Sequence, residues 1–151
     1  MRFVSNAPLV KLVVDTNTLI SGTLWSGPSS RLIDALEQGR ATLVLSADLL
    51  AEFAEVVGRP KFASRLAARD LTPSKLVAAL VRQAEVVTPP PLPLPPSLRD
   101  PKDLIVLAAA LAARVDAIVT GDDDLLSMKS FEGIQILSAR EVLERLGIPA
   151  E

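Results

Sequence analysis

Short, mainly apolar runs alternate with amphipathic helical patterns along this chain. Runs that are apolar on both faces are typical of central strands in parallel sheets, and they occupy residues 9–14, 41–45, 117–120 and 134–137. Residues 85–88 fit a short edge strand. Between the runs, apolar residues spaced three or four apart indicate helices. We therefore predict an α/β fold, a three-layer sandwich with a central, mainly parallel sheet of four to five strands flanked by helices.

The first apolar run ends abruptly in Asp15, which precedes a polar step and another apolar segment. A carboxylate at the C-terminal end of a central parallel strand lies where open α/β sheets place their chemistry. A strand-end aspartate can also simply cap the next helix. The fully apolar strand before Asp15 and the presence of Asn17 favour a functional role. The predicted cap of the following helix is Thr18.

The composition excludes several kinds of chemistry. The chain has neither cysteine nor histidine, which excludes disulfides, thiolate nucleophiles, zinc sites built on these residues and histidine acid–base catalysis. Any catalyst here must use carboxylates, hydroxyls and cations. A net charge of −2 excludes a strong uniform positive field for nucleic acid and leaves room only for a local basic rim.

The length of 151 residues is that of one domain. We expect a flexible leader over residues 1–8 and a single domain over residues 9–151. The longest apolar run, residues 104–113, is too short to span a membrane. The N-terminus lacks the apolar segment of a secretory signal, so we expect a cytoplasmic protein. The proline tract at residues 89–96 favours an extended connector across the surface.

Carboxylates recur at strand ends and helix starts beyond the first strand. The C-terminal ends of parallel strands share one edge of a sheet, so Asp15 and Asp122 converge there if their strands are neighbours. Carboxylates that meet in a cleft repel one another, and a hard divalent cation such as Mg²⁺ or Mn²⁺ relieves the repulsion. Water on one or two such ions can attack a phosphodiester without a histidine base. The candidates are Asp15, Glu52, Asp100, Asp103 and residues 122–124.

Each of these acids also has a simpler structural interpretation. Glu52 alone would be a solvated charge on a helix, and Asp103 could be a first-turn acid favoured by the helix dipole. The aspartates at residues 122–124 could form a polar turn or a helix cap, with at most two of them pointing into a site. The order and spacing of the acids along the chain are the stronger signal.

Five short motifs carry a family resemblance. They are Val13-Val14-Asp15-Thr16-Asn17, Glu52 within residues 49–56, Arg59-Pro60-Lys61-Phe62, Asp103 within residues 100–103, and Thr120-Gly121-Asp122. With these motifs the sequence resembles the PIN-domain ribonucleases, particularly the toxin components of bacterial toxin–antitoxin pairs. The resemblance spans nearly the whole chain. It implies a metal-dependent endoribonuclease on a small parallel sheet.

The resemblance also implies roles for individual residues and partners. The acidic quartet around Mg²⁺ or Mn²⁺ would be Asp15, Glu52, Asp103 and Asp122. The supporting residues would be Asn17, Thr120, Asp124 and Asp100. Toxins of this family are usually neutralised by a small antitoxin protein whose tail covers the cleft, and many form homodimers. We expect Asp15, Asp103 and Asp122 to hold the ion. Glu52 would bind a second ion or orient the attacking water.

Four cations are candidates for contacts with RNA phosphates, and a solvated surface role is equally compatible with each. They are Arg31, Arg59, Lys61 and Lys102. Lys102 departs from the family pattern, in which an acidic or small polar residue is common.

Two other functions compete with the nuclease. A phosphatase of the haloacid-dehalogenase kind would use Asp15 as a nucleophile, but Asn17 stands where such enzymes usually carry a second aspartate, and no general acid is evident. A PIN-like module without catalytic activity would act only by binding a partner. The presence of all four acids argues against that second alternative.

Overall fold

The computed structural model describes residues 10–93 and 100–150. The predicted leader, the first residue of the predicted first strand and part of the proline tract lie outside the described residues. Residues 88–93, which include the described part of the proline tract, form neither helix nor strand. In the described part of the chain, no helix combines the length and the apolarity needed to cross a membrane.

Six strands form the central sheet. They are β1 (Lys11–Val14), β2 (Thr42–Ser46), β3 (Ala84–Val87), β4 (Ala117–Val119), β5 (Ser130–Phe131) and β6 (Ile134–Leu137). Their order is β3-β2-β1-β4-β6-β5, and every neighbouring pair is parallel except β5 with β6. The predicted α/β fold with a mainly parallel sheet is confirmed. The additional strand is β5, which at two residues is too short to show an alternating pattern.

Within the described ranges, seven α-helices lie between strands and an eighth follows the last strand. They are α1 (Thr16–Leu24), α2 (Pro28–Glu37), α3 (Ala47–Val57), α4 (Ala63–Ala68), α5 (Pro73–Gln83), α6 (Pro101–Ala113), α7 (Asp123–Met128) and α8 (Ala139–Leu146). A short 3-10 turn, Pro60–Phe62, precedes α4. The alanine- and leucine-rich α6 packs against β1, β2, β3 and β4, which explains why its apolar pattern is nearly continuous.

The position of β1 determines where a site can form. From β1 the chain proceeds outward to β2 and β3, and then returns to place β4 on the opposite side of β1. The side chains of Leu12, Val13 and Val14 are fully buried, so both faces of β1 are covered. Because the strand order reverses between β1 and β4, a crevice opens there at the carboxyl ends of the strands.

Side-chain caps fix the starts of most helices. Ser46 and Thr72 cap α3 and α5, and Ser138 forms a capping box at the start of α8. The prediction for α1 is wrong, because the cap is Asp15, whose Oδ1 accepts a hydrogen bond from the Thr18 backbone N–H at 2.8 Å. Asp15 therefore caps the next helix, which is the simpler of the two roles that the sequence allowed for it.

Candidate active site

A cleft of about 500 Å³ lies at the carboxyl ends of β1 and β4. All four residues of the predicted acidic quartet line this cleft, namely Asp15, Glu52, Asp103 and Asp122. They come from the end of β1, the middle of α3, the first turn of α6 and the segment after β4. The fold therefore brings together carboxylates from four separate parts of the sequence.

Asp15 is held from two directions. Its Oδ1 caps α1, and its Oδ2 accepts a hydrogen bond from the Thr120 hydroxyl at 2.5 Å. Its backbone N–H continues the β1–β4 ladder by donating to the Val119 carbonyl at 3.0 Å. Asn17 follows in the first turn of α1 and also lines the cleft. The carboxylate thus has a fixed orientation, and each oxygen retains a further lone pair for another partner.

Thr120 links Asp15 to the next acid along the neighbouring strand. Its side chain is buried, and its Oγ1 accepts a hydrogen bond from the Asp122 backbone N–H at 3.0 Å. Asp122 in turn caps α7, because its Oδ1 accepts from the Asp124 backbone N–H at 2.8 Å. The side chain of Asp124 is exposed and is not part of the cleft wall. Of the predicted supporting residues, Thr120 therefore lies behind the quartet and bonds to Asp15 and Asp122. Asp124 lies beside the quartet, and its backbone N–H bonds to Asp122.

Glu52 reaches the cleft from α3 and is held by a residue that the sequence analysis missed. The hydroxyl of Thr16 donates a hydrogen bond to Glu52 Oε1. Thr16 is buried and lines the cleft beside Asp15. The position of Thr16 directly after Asp15 could have indicated its role, because the first helical residue after a strand faces the same crevice as the strand end. Nothing in the sequence indicates that its partner lies on α3.

Asp103 is the most deeply buried acid of the cleft. Its side chain is only 7% exposed, and its Oδ2 has no hydrogen-bond partner. Burial raises the pKa of its carboxyl from 3.8 to about 6. Neighbouring negative charges add to this increase, in decreasing order those of Asp122, Asp100, Asp124 and Asp15. A buried carboxylate oxygen without a partner is costly unless a proton or a cation satisfies it.

Asp100 and Lys102 lie just before Asp103 at the start of α6. Asp100 caps the helix, because its Oδ1 accepts from the Lys102 backbone N–H at 2.9 Å. Both side chains line the cleft. Asp100 therefore contributes negative charge near Asp103, whereas Lys102 contributes a cation at the rim.

The other three predicted phosphate contacts differ in position. Arg59 and Lys61 line the cleft, whereas Arg31 does not. Arg59 is engaged in an exposed ion pair with Glu55 at 2.9 Å. Lys61 Nζ lies 5.1 Å from the centre of the Phe62 ring, which is a cation–π distance. The basic rim of the cleft therefore consists of Lys61 and Lys102, with Arg59 partly neutralised.

The carboxylate oxygens of the cleft are the type of ligand that a hard divalent cation prefers. The unpartnered, buried Oδ2 of Asp103 and the oxygen-only donor set suit Mg²⁺ or Mn²⁺. In residues 10–93 and 100–150, however, no three acidic side chains form a preassembled ligand cluster. Hydrogen bonds hold Glu52 to Thr16 and Asp122 to the start of α7. Mg²⁺ usually keeps several waters and needs only one or two direct carboxylate ligands.

Comparison with known proteins agrees with this architecture. No curated protein matches the sequence. The fold is similar to that of a chain in the crystal structure of VapBC2 from Rickettsia felis bound to a DNA fragment from their promoter, with a TM-score of 0.54 and 14% sequence identity. The similarity covers 84% of this chain and 97% of that chain. The sequence also matches the PIN domain over residues 11–124, and that match extends from β1 to the aspartates after β4. The chain therefore belongs to the PIN-domain family.

Proposed function

We propose that this protein is an endoribonuclease that depends on Mg²⁺ or Mn²⁺ and acts as the toxin of a toxin–antitoxin pair. The observation that carries the proposal is the convergence of Asp15, Glu52, Asp103 and Asp122 on one cleft, in which Asp103 Oδ2 is buried without a partner. Membership of the PIN-domain family supports the nuclease assignment.

The ion would be held by Asp15, Asp103 and Asp122, with Glu52 placed to bind a second ion or to orient the attacking water. When bound, one or two such ions would offset the repulsion among the carboxylates and supply the Lewis acidity that activates water and stabilises the leaving oxygen. Asp15 is suited to a ligand role because Thr18 and Thr120 fix both of its oxygens. Precise orientation by such outer partners is typical of metal ligands.

The reaction is hydrolysis of a phosphodiester. A water oxygen forms a bond to phosphorus, one ester P–O bond breaks, and a proton from the water is transferred to the leaving oxygen. Glu52 is held by Thr16 at the cleft wall and is the carboxylate assigned to orient that water. Lys61 and Lys102 at the rim would contact phosphates on either side of the scissile bond.

The proposed partners are an RNA substrate, a small antitoxin protein and a second copy of the chain, in the cytoplasm. The fold similarity to a VapBC2 chain and the sequence resemblance to toxin components support the antitoxin. An antitoxin segment that carries a cation would offset the negative charge around Asp103.

Cleavage of an unstructured oligoribonucleotide by the purified protein tests the nuclease. We expect cutting in Mn²⁺ or Mg²⁺, none in chelator and none by Asp103→Asn. The matched control is Asp34→Asn, which removes the same charge from the exposed face of α2 and should cut like the wild type. Intact single-stranded and structured RNA in Mn²⁺, together with no calorimetric ion binding, would reject the enzyme in favour of a non-catalytic binding module.

A further inference from the structure

A cationic and aromatic surface patch lies next to the acidic cleft, and the proposed mechanism uses only one of its residues, Lys61. The patch consists of the exposed residues Trp25, Lys61 and Arg65, together with the buried ring of Phe62, which contacts Trp25 and Lys61. Trp25 follows α1 and is the only tryptophan of the chain. Its side chain is 36% exposed, which is unusual for so large an apolar group in this molecule. Tryptophan and arginine are enriched among the residues that contribute most to binding energy at protein interfaces.

The patch has a fixed geometry. The guanidinium carbon of Arg65 lies 4.3 Å from the centre of the Trp25 ring, and Arg65 also donates a hydrogen bond to the Leu24 carbonyl at 3.2 Å. The Trp25 and Phe62 rings meet edge to face, with centroids 6.1 Å apart. The indole and the guanidinium are therefore oriented before any ligand arrives, which reduces the entropy lost on binding.

The patch is continuous with the cleft at two points. Lys61 belongs to both, because it lines the cleft and lies over the Phe62 ring. Ser21 lines the cleft, and its carbonyl accepts a hydrogen bond from the Trp25 backbone N–H at 2.9 Å. Trp25 thus lies four residues beyond the cleft wall, or about 6 Å along the helix axis.

The charges of the patch suit a polyanion that also carries flat rings. Across the described residues, neither Lys61 nor Arg65 belongs to an ion pair, whereas Arg59 and Lys11 do. Aromatic rings that stack bases beside cations that contact phosphates are the combination used by proteins that bind single-stranded nucleic acid. Arginine stacked on tryptophan adds a second flat, cationic surface for the same purpose.

We propose that Trp25 and Arg65 form a stacking platform for a nucleobase of the single-stranded RNA in the cleft, with Lys61 contacting the phosphate between that base and the scissile bond. The platform rests on the proposed nuclease function and adds to it a preference for unpaired RNA. A base inside a duplex cannot reach the rings, because its faces are already stacked.

Single-turnover cleavage in Mn²⁺ separates binding from chemistry. We expect Trp25→Leu and Arg65→Gln each to raise the half-saturating enzyme concentration about tenfold, because one stacked base contributes a factor of roughly this size. The maximal rate constant should remain unchanged. The matched control is Arg69→Gln, which removes an exposed charge one turn further along the chain and should leave both parameters unchanged. Arg65 is exposed and lies outside the hydrophobic core, so Arg65→Gln tests the platform even if Trp25→Leu fails to fold.

Fluorescence of the single tryptophan gives a direct test. In Asp103→Asn, which leaves the RNA intact, a single-stranded oligoribonucleotide should quench Trp25 and reach saturation. An abasic oligonucleotide of the same length should bind without quenching, because it supplies phosphates but no rings.

The outcomes distinguish the platform from the enzyme. If the wild type cuts RNA but both platform variants match it and the tryptophan is not quenched, the platform is wrong and a protein partner is the better occupant of the patch. If the wild type neither cuts nor binds RNA, the proposed function itself is wrong.

Discussion

The Thr120 hydroxyl donates a hydrogen bond to Asp15 Oδ2 at 2.5 Å, across the boundary between the two central strands. The same hydroxyl accepts from the Asp122 backbone N–H at 3.0 Å. One buried side chain therefore positions two acids of the cleft at once. Valine has the same β-branched shape as threonine and carries a methyl group in place of the hydroxyl. Thr120→Val therefore removes these two hydrogen bonds without changing the shape of the side chain.

Thr120→Val should lower cleavage by about 10- to 100-fold, the usual effect of removing a partner that orients a metal ligand. It should also destabilise the fold by about 1–3 kcal/mol, because it leaves the Asp122 N–H and Asp15 Oδ2 without that partner. Thr120→Ser should restore most of the activity. The control is Thr23→Val, which loses a hydroxyl bonded only to the Leu19 carbonyl. Steady-state rates and chemical denaturation give both quantities, and wild-type activity in Thr120→Val would contradict the positioning role.

The stability of the metal-free protein should decline between about pH 4 and pH 6. The folded state raises the pKa of Asp103 to about 6 from 3.8, so it binds the proton more tightly than the unfolded chain does. The contribution of Asp103 is therefore most favourable below pH 4 and is lost as the pH rises through 6. The loss is about 3 kcal/mol, at 1.36 kcal/mol per pKa unit.

Denaturation in chelator from pH 4.5 to pH 7.5 tests this dependence. Asp103→Asn should be more stable than the wild type at pH 7 and should show a flatter profile, since asparagine does not titrate in this range. Asp34→Asn should retain the wild-type profile. Parallel profiles for the wild type and Asp103→Asn would show that Asp103 is not the group responsible.

Mn²⁺ should stabilise the wild type against thermal unfolding and should stabilise Asp103→Asn much less. A ligand at 100 times its dissociation constant adds about 2.7 kcal/mol to the unfolding free energy when it binds only the folded state. The increase in melting temperature should disappear on addition of chelator. An equal increase in Asp103→Asn and in the wild type would remove Asp103 from the ligand set.

Gly22→Ala should destabilise the protein by about 1–3 kcal/mol through overpacking between α1 and α2. A Cβ at residue 22 would lie 2.4 Å from the Ser29 carbonyl oxygen and 2.6 Å from Ile33 Cγ1. The matched control is Gly121→Ala, where a Cβ would have no heavy atom within 4 Å. Chemical denaturation compares the two variants, and equal stabilities would mean that the two helices separate without cost.

Local patterns were sufficient to predict most of the secondary structure. Mainly apolar runs mark β1, β2, β4 and β6 because strands covered on both faces are rich in apolar side chains. The caps at Ser46, Thr72 and Ser138 were predictable because a cap interacts only with its own first turn. The two-residue β5 and the short α7 were missed because they are too short to establish a period.

The helix start at Asp15 shows where local reasoning is ambiguous. Both Asp15 and Thr18 are common cap residues, and the choice between them depends on where β1 ends. The strand extends to Val14, which pairs with Val119 across the sheet, and the Asp15 backbone N–H donates to the Val119 carbonyl. A contact more than a hundred residues away in sequence therefore determined which side chain caps α1.

The sequence by itself determined the α/β class and the available chemistry, because periodicity and composition do not depend on the fold, and its resemblance to a known family nominated the four acids. Only the tertiary structure decided that β4 returns to lie beside β1, that Thr16 holds Glu52, and that Asp103 Oδ2 is buried without a partner. It also placed Arg65 over Trp25 next to the cleft. These relationships join residues far apart in sequence, and they arise from the packing of whole helices against the sheet, which no local pattern encodes.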